Sequence, residues 1–247
     1  MISDQPNGVN VNDRCGSTHM ESLMAFVREA GLDAGVAFDG DADRCLAVDD
    51  KGKLVDGDFV MAICAADMKS RGVLAKDTTV GTIMTNMGFS RFCEDNGMHF
   101  EATKVGDRYV LEKMQQEGYN FGGEQSGHVI FLDYATTGDG ELTAAQLLAI
   151  MKRRQAKLSS LATLMTRYPQ VLINVEVEPD GKKRFATDEK VAAAVEKARK
   201  QLGSDGRIIV RPSGTEPLLR VMVEGLDKKL IHTVAESVAA VVKEQLA

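Results

Sequence analysis

Cysteine is scarce and scattered in this chain of 247 residues: Cys15, Cys45, Cys64 and Cys93 stand far apart. No pair has the close spacing of a zinc or redox motif, and so few thiols do not make a disulfide scaffold. They are expected to be reduced and mostly buried. Tryptophan is absent, which excludes nothing about function. No apolar run approaches the roughly 20 residues that a membrane-crossing helix needs. The opening Met1-Ile2-Ser3-Asp4-Gln5-Pro6-Asn7 lacks the apolar core of a signal peptide, so the expected compartment is the cytoplasm. A surplus of positive charge is also missing: 30 Lys and Arg stand against 36 Asp and Glu. Broad nucleic-acid binding needs a basic face and is disfavoured, as is a membrane partner. A small anionic ligand remains open, because a few local arginines can hold a phosphate in an acidic protein.

What is present is an alternation of short apolar strands and amphipathic helices. Met20, Leu23, Met24 and Val27 share one helical face, and Gly31 follows at the usual stop position. Ala34–Phe38 and Cys45–Val48 read as strands on either side of a polar loop. This piece, 1–53, is small for an independent core and reads as the remainder of a larger domain. Over 54–160, helix signals at Phe59–Ser70 and Gly88–Asn96 flank a strand at Thr78–Ile83, and a later helix carries Ala144, Leu147, Leu148 and Met151. The pattern predicts an α/β layer fold. Asp139 and Gly140 are the expected cap of that later helix, and Lys152-Arg153-Arg154 suits its negative end.

Over 161–247 the pattern changes. Ile173, Val175 and Val177 alternate with polar residues, a helix carries Val191, Ala194, Val195 and Ala198, and strands follow at Arg207–Val210 and Leu219–Glu224. A last helix places Ile231, Val234, Ala235, Val238 and Val242 on one stripe. The order β-α-β-β-α predicts a small α+β domain.

Three loops carry chemistry. Asp39-Gly40-Asp41-Ala42-Asp43-Arg44 sets three carboxylates at alternate positions, a hard-oxygen set for one divalent cation. It is not an EF-hand loop: Arg44 stands where that loop needs glycine, and Asp50 where it uses glutamate. A solvated acidic turn is the plain alternative. Few ligands and an open side suit magnesium, which shares its coordination with phosphate. Gly122-Gly123-Glu124-Gln125-Ser126-Gly127-His128 sets a carboxylate, an amide and a hydroxyl between glycines, a set suited to sugar hydroxyls. A polar hairpin with a hydrogen-bonded histidine would have the same sequence. His128 is either a proton shuttle or a structural donor. Arg211-Pro212-Ser213-Gly214-Thr215-Glu216-Pro217, with Arg220 beyond it, follows a strand and offers hydroxyls and N–H groups flanked by arginines. Such donors suit a phosphate dianion; a structural β-turn is the alternative.

In this order and spacing the loops resemble the α-D-phosphohexomutase superfamily, and the likeness runs through essentially the whole chain. Asp-Gly-Asp-Ala-Asp-Arg looks like its magnesium loop, Gly-Glu-Gln-Ser-Gly-His its sugar loop and Arg-Pro-Ser-Gly-Thr-Glu-Pro its phosphate loop. Alanine in the first and glutamine in the second resemble the phosphoglucosamine mutase branch. So do residues 12–19, Lys104-Val105-Gly106-Asp107-Arg108-Tyr109-Val110 and Thr137-Gly138-Asp139-Gly140. The resemblance implies interconversion of glucosamine 6-phosphate and glucosamine 1-phosphate through a bisphosphate. It implies Mg²⁺ on Asp39, Asp41 and Asp43 with Arg44 beside it, and Glu124 and Ser126 on sugar hydroxyls. It also implies Arg211, Ser213, Gly214, Thr215 and Arg220 on the phosphate that is not transferred. Lys104 and His128 become candidates for acid–base or electrostatic roles, and Arg108 for phosphate contact.

By the same resemblance, 1–53 is the remainder of a second domain, 54–160 a third and 161–247 the last. The family's phosphoserine segment, close to Ser/Thr-Ala-Ser-His-Asn-Pro, does not occur in these residues. Ser17, beside Thr18 and His19, is no convincing substitute. The chain is therefore expected to bind but not turn over by itself. Its expected partners are a sugar phosphate and either a second copy or the missing N-terminal region. A non-catalytic sugar-phosphate and metal module is one alternative, and a phosphomannomutase or phosphoglucomutase relative another.

Overall fold

The structure is a computed structural model that describes residues 1–5, 7–178, 180–214 and 216–247. The chain divides into two compact units, Met1–Thr166 and Arg167–Ala247.

In the first unit, α1 (Glu21–Ala30) precedes an antiparallel sheet of β1 (Ala34–Phe38), β2 (Cys45–Asp49) and β3 (Leu54–Val55). Gly31 ends α1 in the left-handed conformation that glycine adopts without steric cost. Met20, Val27, Leu46 and Val48 form a small core there, with Leu23, Met24 and Ala37 against it. β1 pairs with β2 so that Phe38 faces Cys45, which makes residues 39–44 the turn of a hairpin.

Helix α2 (Gly57–Ser70) follows, and ten of its residues are buried, so it reads as apolar nearly all round. Asp56 caps its start by accepting from Phe59 N–H. Strand β4 (Thr78–Thr82), α3 (Met87–Asp95), β5 (His99–Thr103), α4 (Asp107–Glu117), β6 (Phe121–Gly123) and β7 (Val129–Phe131) come next. They form a mixed sheet in the order β5-β4-β6-β7: β4 runs parallel to β5 and β6, while β7 is antiparallel to β6. Helices α5 (Gly140–Arg154) and α6 (Leu158–Leu161) complete the unit. Its main core gathers Met61, Ile63, Phe89, Phe121, Leu147 and Leu158, all essentially inaccessible. Cys45, Cys64 and Cys93 are buried and unpaired, and burial pushes the Cys45 thiol up to about 12 and the Cys93 thiol up to about 11. Cys15 is unpaired and half-buried.

The second unit contains β8 (Gln170–Glu176), α7 (Gly181–Arg184), α8 (Glu189–Leu202), β9 (Gly206–Pro212), β10 (Leu218–Gly225) and α9 (Lys228–Leu246). β10 lies between β8 and β9 and is antiparallel to both. Leu219, Val221 and Val223 join Val234, Val238 and Val242 in one core, the α+β arrangement that the alternation predicts. Glu224 is fully buried and accepts from Arg207 Nε at 2.7 Å and Gln170 Nε2 at 2.9 Å. Among the described residues no helix is long and apolar enough to cross a membrane.

One ion cluster joins two helices of the first unit. Asp67 on α2 is buried and accepts from Arg71 Nε at 2.7 Å and from Arg153 Nη2, on α5, at 2.8 Å. Burial pushes its carboxyl up, but the hydrogen bonds and charges of Arg153 and Arg71 together outweigh this and hold it below the usual carboxylate value. Its stabilisation is therefore complete above that value and drains away as the pH falls through the lowered one. Asp67→Asn is expected to lower the unfolding free energy at neutral pH by about 2 kcal/mol. It should also flatten the acid side of the stability profile. Urea titrations across pH measure both effects, and matching profiles for the two proteins would contradict this role.

Candidate functional site

The acidic loop closes the β1–β2 hairpin. One ligand oxygen from each of Asp39, Asp41 and Asp43 can be chosen so that all lie within 4.8 Å of one another. Asp39 also organises the turn: its carbonyl accepts from Ala42 N–H at 3.2 Å and its carboxylate from Arg44 N–H at 3.2 Å. The turn requires Ala42 to sit at φ 58°, a left-handed conformation that costs a residue with a side chain roughly 1–2 kcal/mol. Burial first, and then the charges of Asp39 and Asp41, raise the Asp43 carboxyl above its ordinary value, with His128 pulling the other way. Among the described residues, Asp43 Oδ1 is buried without a hydrogen-bond partner. Arg44 Nε lies 3.6 Å from Asp39 and 3.9 Å from Asp43, but its side chain is 44% exposed and only partly offsets them. A clustered set of hard oxygens, one of them orphaned, fits a small divalent cation.

The second loop connects β6 to β7 as a hairpin turn and packs directly on the first. Cys45 N–H donates to Gly127 O at 3.0 Å, and Arg44 and His128 form an isolated β-bridge. His128 is buried, its Nε2 3.5 Å from Asp43 Oδ2 and 3.9 Å from Asp107 Oδ2, while Nδ1 has no hydrogen-bond partner among the described residues. Glu124 is half-buried and accepts from Gly106 N–H at 3.0 Å. That bond joins the hairpin to the turn between β5 and α4. Ser126 is exposed. Gly57, the first residue of α2, donates to Gln125 O at 3.0 Å, and a β-carbon there would lie 2.1 Å from Glu124 O.

Lys104 and Arg108 stand beside this hairpin, in the turn after β5 and in the first turn of α4. Both are exposed; Lys104 Nζ lies 5.9 Å from the Tyr109 ring centroid, and Arg108 Nε donates to Glu112 at 2.7 Å. The structure thus gathers Asp39, Asp41, Asp43, Arg44, Glu124 and His128 through direct contacts. It leaves Arg108 turned to its own helix.

The third loop belongs to the second unit. Arg211 on β9 and Arg220 on β10 are register partners. Burial, then the Arg220 charge, lowers Arg211 from the ordinary guanidinium value. Arg220 Nη2 donates to Glu216 Oε2 at 2.7 Å, and the buried Ser213 donates to the same oxygen at 3.3 Å. Gly214 is exposed, and Thr215 lies outside the described residues. Lys182 on α7 braces this loop by donating to Ser213 O at 2.7 Å. Sequence reasoning missed it, because Gly181-Lys182-Lys183-Arg184 reads as a solvated basic run. Gly106, Gly138 and Gly140 were also missed as contact points, although the two segments that contain them were singled out.

These features define a class. The family model for phosphoglucomutase/phosphomannomutase alpha/beta/alpha domain III matches residues 56–168, and that for the phosphoglucomutase/phosphomannomutase C-terminal domain matches residues 172–241. The chain belongs to this family. Its curated relatives include the phosphoglucosamine mutase of Clostridium kluyveri, 49% identical over all of this chain and 55% of that protein. That of Clostridium tetani is 52% identical over 99% of this chain and 55% of that protein. The chain thus spans about half the length of the curated relatives it matches. Among solved structures, a phosphoglucomutase/phosphomannomutase family protein from Burkholderia thailandensis shares the fold with a TM-score of 0.76 and 23% identity, over 93% of this chain and 51% of that one. The N-acetylphosphoglucosamine mutase of Aspergillus fumigatus, solved with GlcNAc-6P and magnesium, gives a TM-score of 0.72 at 20% identity, over 94% and 53%.

Replacement of Gly57 by alanine should disturb the first unit, because the new methyl would meet backbone and not a movable side chain. Gly57→Ala is expected to cost about 1–3 kcal/mol. Gly214→Ala, with nothing within 4 Å of the added carbon, should stay within about 0.5 kcal/mol of the parent. Chemical unfolding of both variants checks the contrast.

Proposed function

We propose that this chain carries the metal, sugar and phosphate loops of a phosphoglucosamine mutase. The reaction of that enzyme would interconvert glucosamine 6-phosphate and glucosamine 1-phosphate by phosphoryl transfer through a bisphosphate. The observation that carries the reading is the Asp39–Asp41–Asp43 cluster, braced by the hairpin that bears Glu124 and Ser126. Identities of 49–52% to phosphoglucosamine mutases over nearly all of this chain support the choice of branch.

Asp39, Asp41 and Asp43 would hold Mg²⁺, which when bound offsets negative charge on a transferring phosphoryl group. Arg44 adds a partly exposed positive charge at the rim. Glu124 accepts from sugar hydroxyls, its carboxylate aimed by Gly106 N–H, and Ser126 offers a further donor. Arg211, Ser213, Gly214, Thr215 and Arg220 hold the phosphate that is not transferred, which positions the reacting end. His128 and Lys104 serve as electrostatic or proton-handling groups, and Arg108 becomes a phosphate contact once it leaves Glu112. Residues 1–53, 54–160 and 161–247 correspond to the remainder of a second domain, a third domain and the last domain. The setting is cytoplasmic and the ligand a small sugar phosphate, with either a second copy or a phosphoserine-bearing region as partner.

A serine segment of the family's phosphorylated kind does not occur in these 247 residues, so the chain is expected to bind without turnover. The same observation favours the second reading, a non-catalytic binding module. Turnover of glucosamine 6-phosphate, with Mg²⁺ and a sugar-bisphosphate primer, separates the two when it is run with and without a phosphoserine-bearing N-terminal region. Restored formation of glucosamine 1-phosphate supports the mutase. A folded pair that stays inactive rejects it, and faster reaction of glucose or mannose phosphate assigns another hexose.

By calorimetry, Asp41→Asn should weaken Mg²⁺ binding roughly tenfold or more. Arg211→Ala should weaken binding of the sugar phosphate by about 2 kcal/mol, the scale of a lost charge-assisted hydrogen bond. Unchanged affinity in either variant rejects the corresponding loop assignment.

A further inference from the structure

Of the proposed metal ligands, Asp39 holds part of its own loop by accepting from Ala42 and Arg44 N–H, and further support comes from outside the loop. Ala42, between Asp41 and Asp43, is left-handed at φ 58°. Such a conformation persists in a residue with a side chain only where the surroundings dictate it. One of the contacts that hold it lies about a hundred residues further on, in the first turn of α5.

Gly140 N–H donates to Ala42 O at 2.8 Å. The Gly140 α-carbon is so close to the loop that a β-carbon on it would lie 2.5 Å from Arg44 O and 2.8 Å from Ala42 O. Two residues earlier, a β-carbon on Gly138 would lie 2.4–2.6 Å from three atoms of the His128 ring. The backbone at 138 is therefore pressed against the imidazole whose Nε2 lies 3.5 Å from Asp43 Oδ2. Between the two glycines, Asp139 caps α5: its carboxylate accepts from Leu142 N–H at 2.8 Å and its carbonyl from Thr143 Oγ1 at 2.7 Å. The cap fixes the direction of the helix, and the helix aims the Gly140 N–H at the metal loop.

We infer that Gly138 and Gly140 are positioning residues for cation binding, with the capped start of α5 as the template on which the Asp39–Asp43 loop closes. The inference rests on the proposed metal reading. The segment 138–140 makes two contacts: one to the loop backbone between Asp41 and Asp43, the other to the imidazole beside Asp43. Glycine is required at both positions by the closeness of approach, and neither residue itself touches the cation.

The test is Mg²⁺ affinity by calorimetry on the full chain, with folding checked by circular dichroism and thermal unfolding. Gly140→Ala is expected to weaken Mg²⁺ by roughly tenfold or more, and Gly138→Ala to act in the same direction. Two milder variants serve where an alanine at 138 or 140 prevents folding. Asp139→Ala removes the cap and should weaken Mg²⁺, whereas Asp139→Asn retains a capping side chain and should bind nearly as the parent does. Asp188→Ala removes the equivalent cap of α8 in the other unit. It should cost stability and leave Mg²⁺ affinity unchanged, which separates positioning from a general loss of stability. The inference is overturned if the folded Gly140→Ala and Asp139→Ala proteins both bind Mg²⁺ like the parent while Asp41→Asn does not. It is likewise overturned if Asp139→Asn weakens binding as much as Asp139→Ala, for then charge and not cap geometry is responsible. If Asp41→Asn also binds like the parent, the metal reading itself has failed.

Discussion

Mutual repulsion within the acidic loop is the constraint around which the first unit is arranged. Two unit charges about 5 Å apart repel by roughly 3 kcal/mol at an effective dielectric of about 20. One oxygen from each of three carboxylates lies within 4.8 Å of the others here, and the Asp43 value rises through burial first and then through the charges of Asp39 and Asp41. A free loop of this sequence would splay its side chains toward water. Here the backbone is held from three sides: by β1 and β2, by the Arg44–His128 bridge, and by Gly140 N–H on Ala42 O. Asp41 still reaches water, while Asp39 and Asp43 are half-buried.

The mixed sheet brings the remaining parts to one edge. β4, β5 and β6 are parallel, so the turns that leave their C-terminal ends share an edge, the usual place for ligands on such sheets. The turn after β5 carries Lys104 and Gly106, and the turn after β6 carries Glu124. The bond from Gly106 N–H to the Glu124 carboxylate binds one turn to the other. α2 begins beneath them, where Gly57 meets the Glu124–Gln125 backbone without room for a β-carbon. Parallel strands thus supply proximity, and glycines make it close.

Much of this was legible in the residues. Period-two alternation marked β8 and the central strand of the second unit, and helical spacing marked α1, α8 and α9, because each buries one face against a single core. In α5 the spacing marked the helix but not its face, since Leu148 is exposed and Ile150 is buried. The acidic loop was legible because charge at alternate positions is rarely neutral in meaning. Less legible was β5, His99-Phe100-Glu101-Ala102-Thr103, which has one large apolar side chain and takes its strand character from pairing with β4. The four-residue α7 carries no apolar stripe, and its Lys182 could be placed on Ser213 only by the fold. The segment 122–128 is a hairpin turn, so the structural alternative for it holds and does not conflict with the functional one. Tertiary closeness of Gly138 and Gly140 to residues far back in the chain leaves no local mark beyond the glycines themselves.

Each unit places like charges side by side, and the two choose opposite signs. In the first, the carboxylates of Asp39, Asp41 and Asp43 accumulate. In the second, Arg211 and Arg220 are paired across adjacent strands, and their repulsion adds to burial in lowering Arg211. Glu216 relieves part of that repulsion through Arg220, but its side chain is half exposed and free to yield to a stronger anion. Neither arrangement is the most stable packing for its own unit, since opposite charges or apolar groups would cost less. Like charges held together by a stiff scaffold make sense only where the counter-charge arrives with the ligand. On the proposed reading those counter-charges are a divalent cation for the first unit and a phosphate dianion for the second.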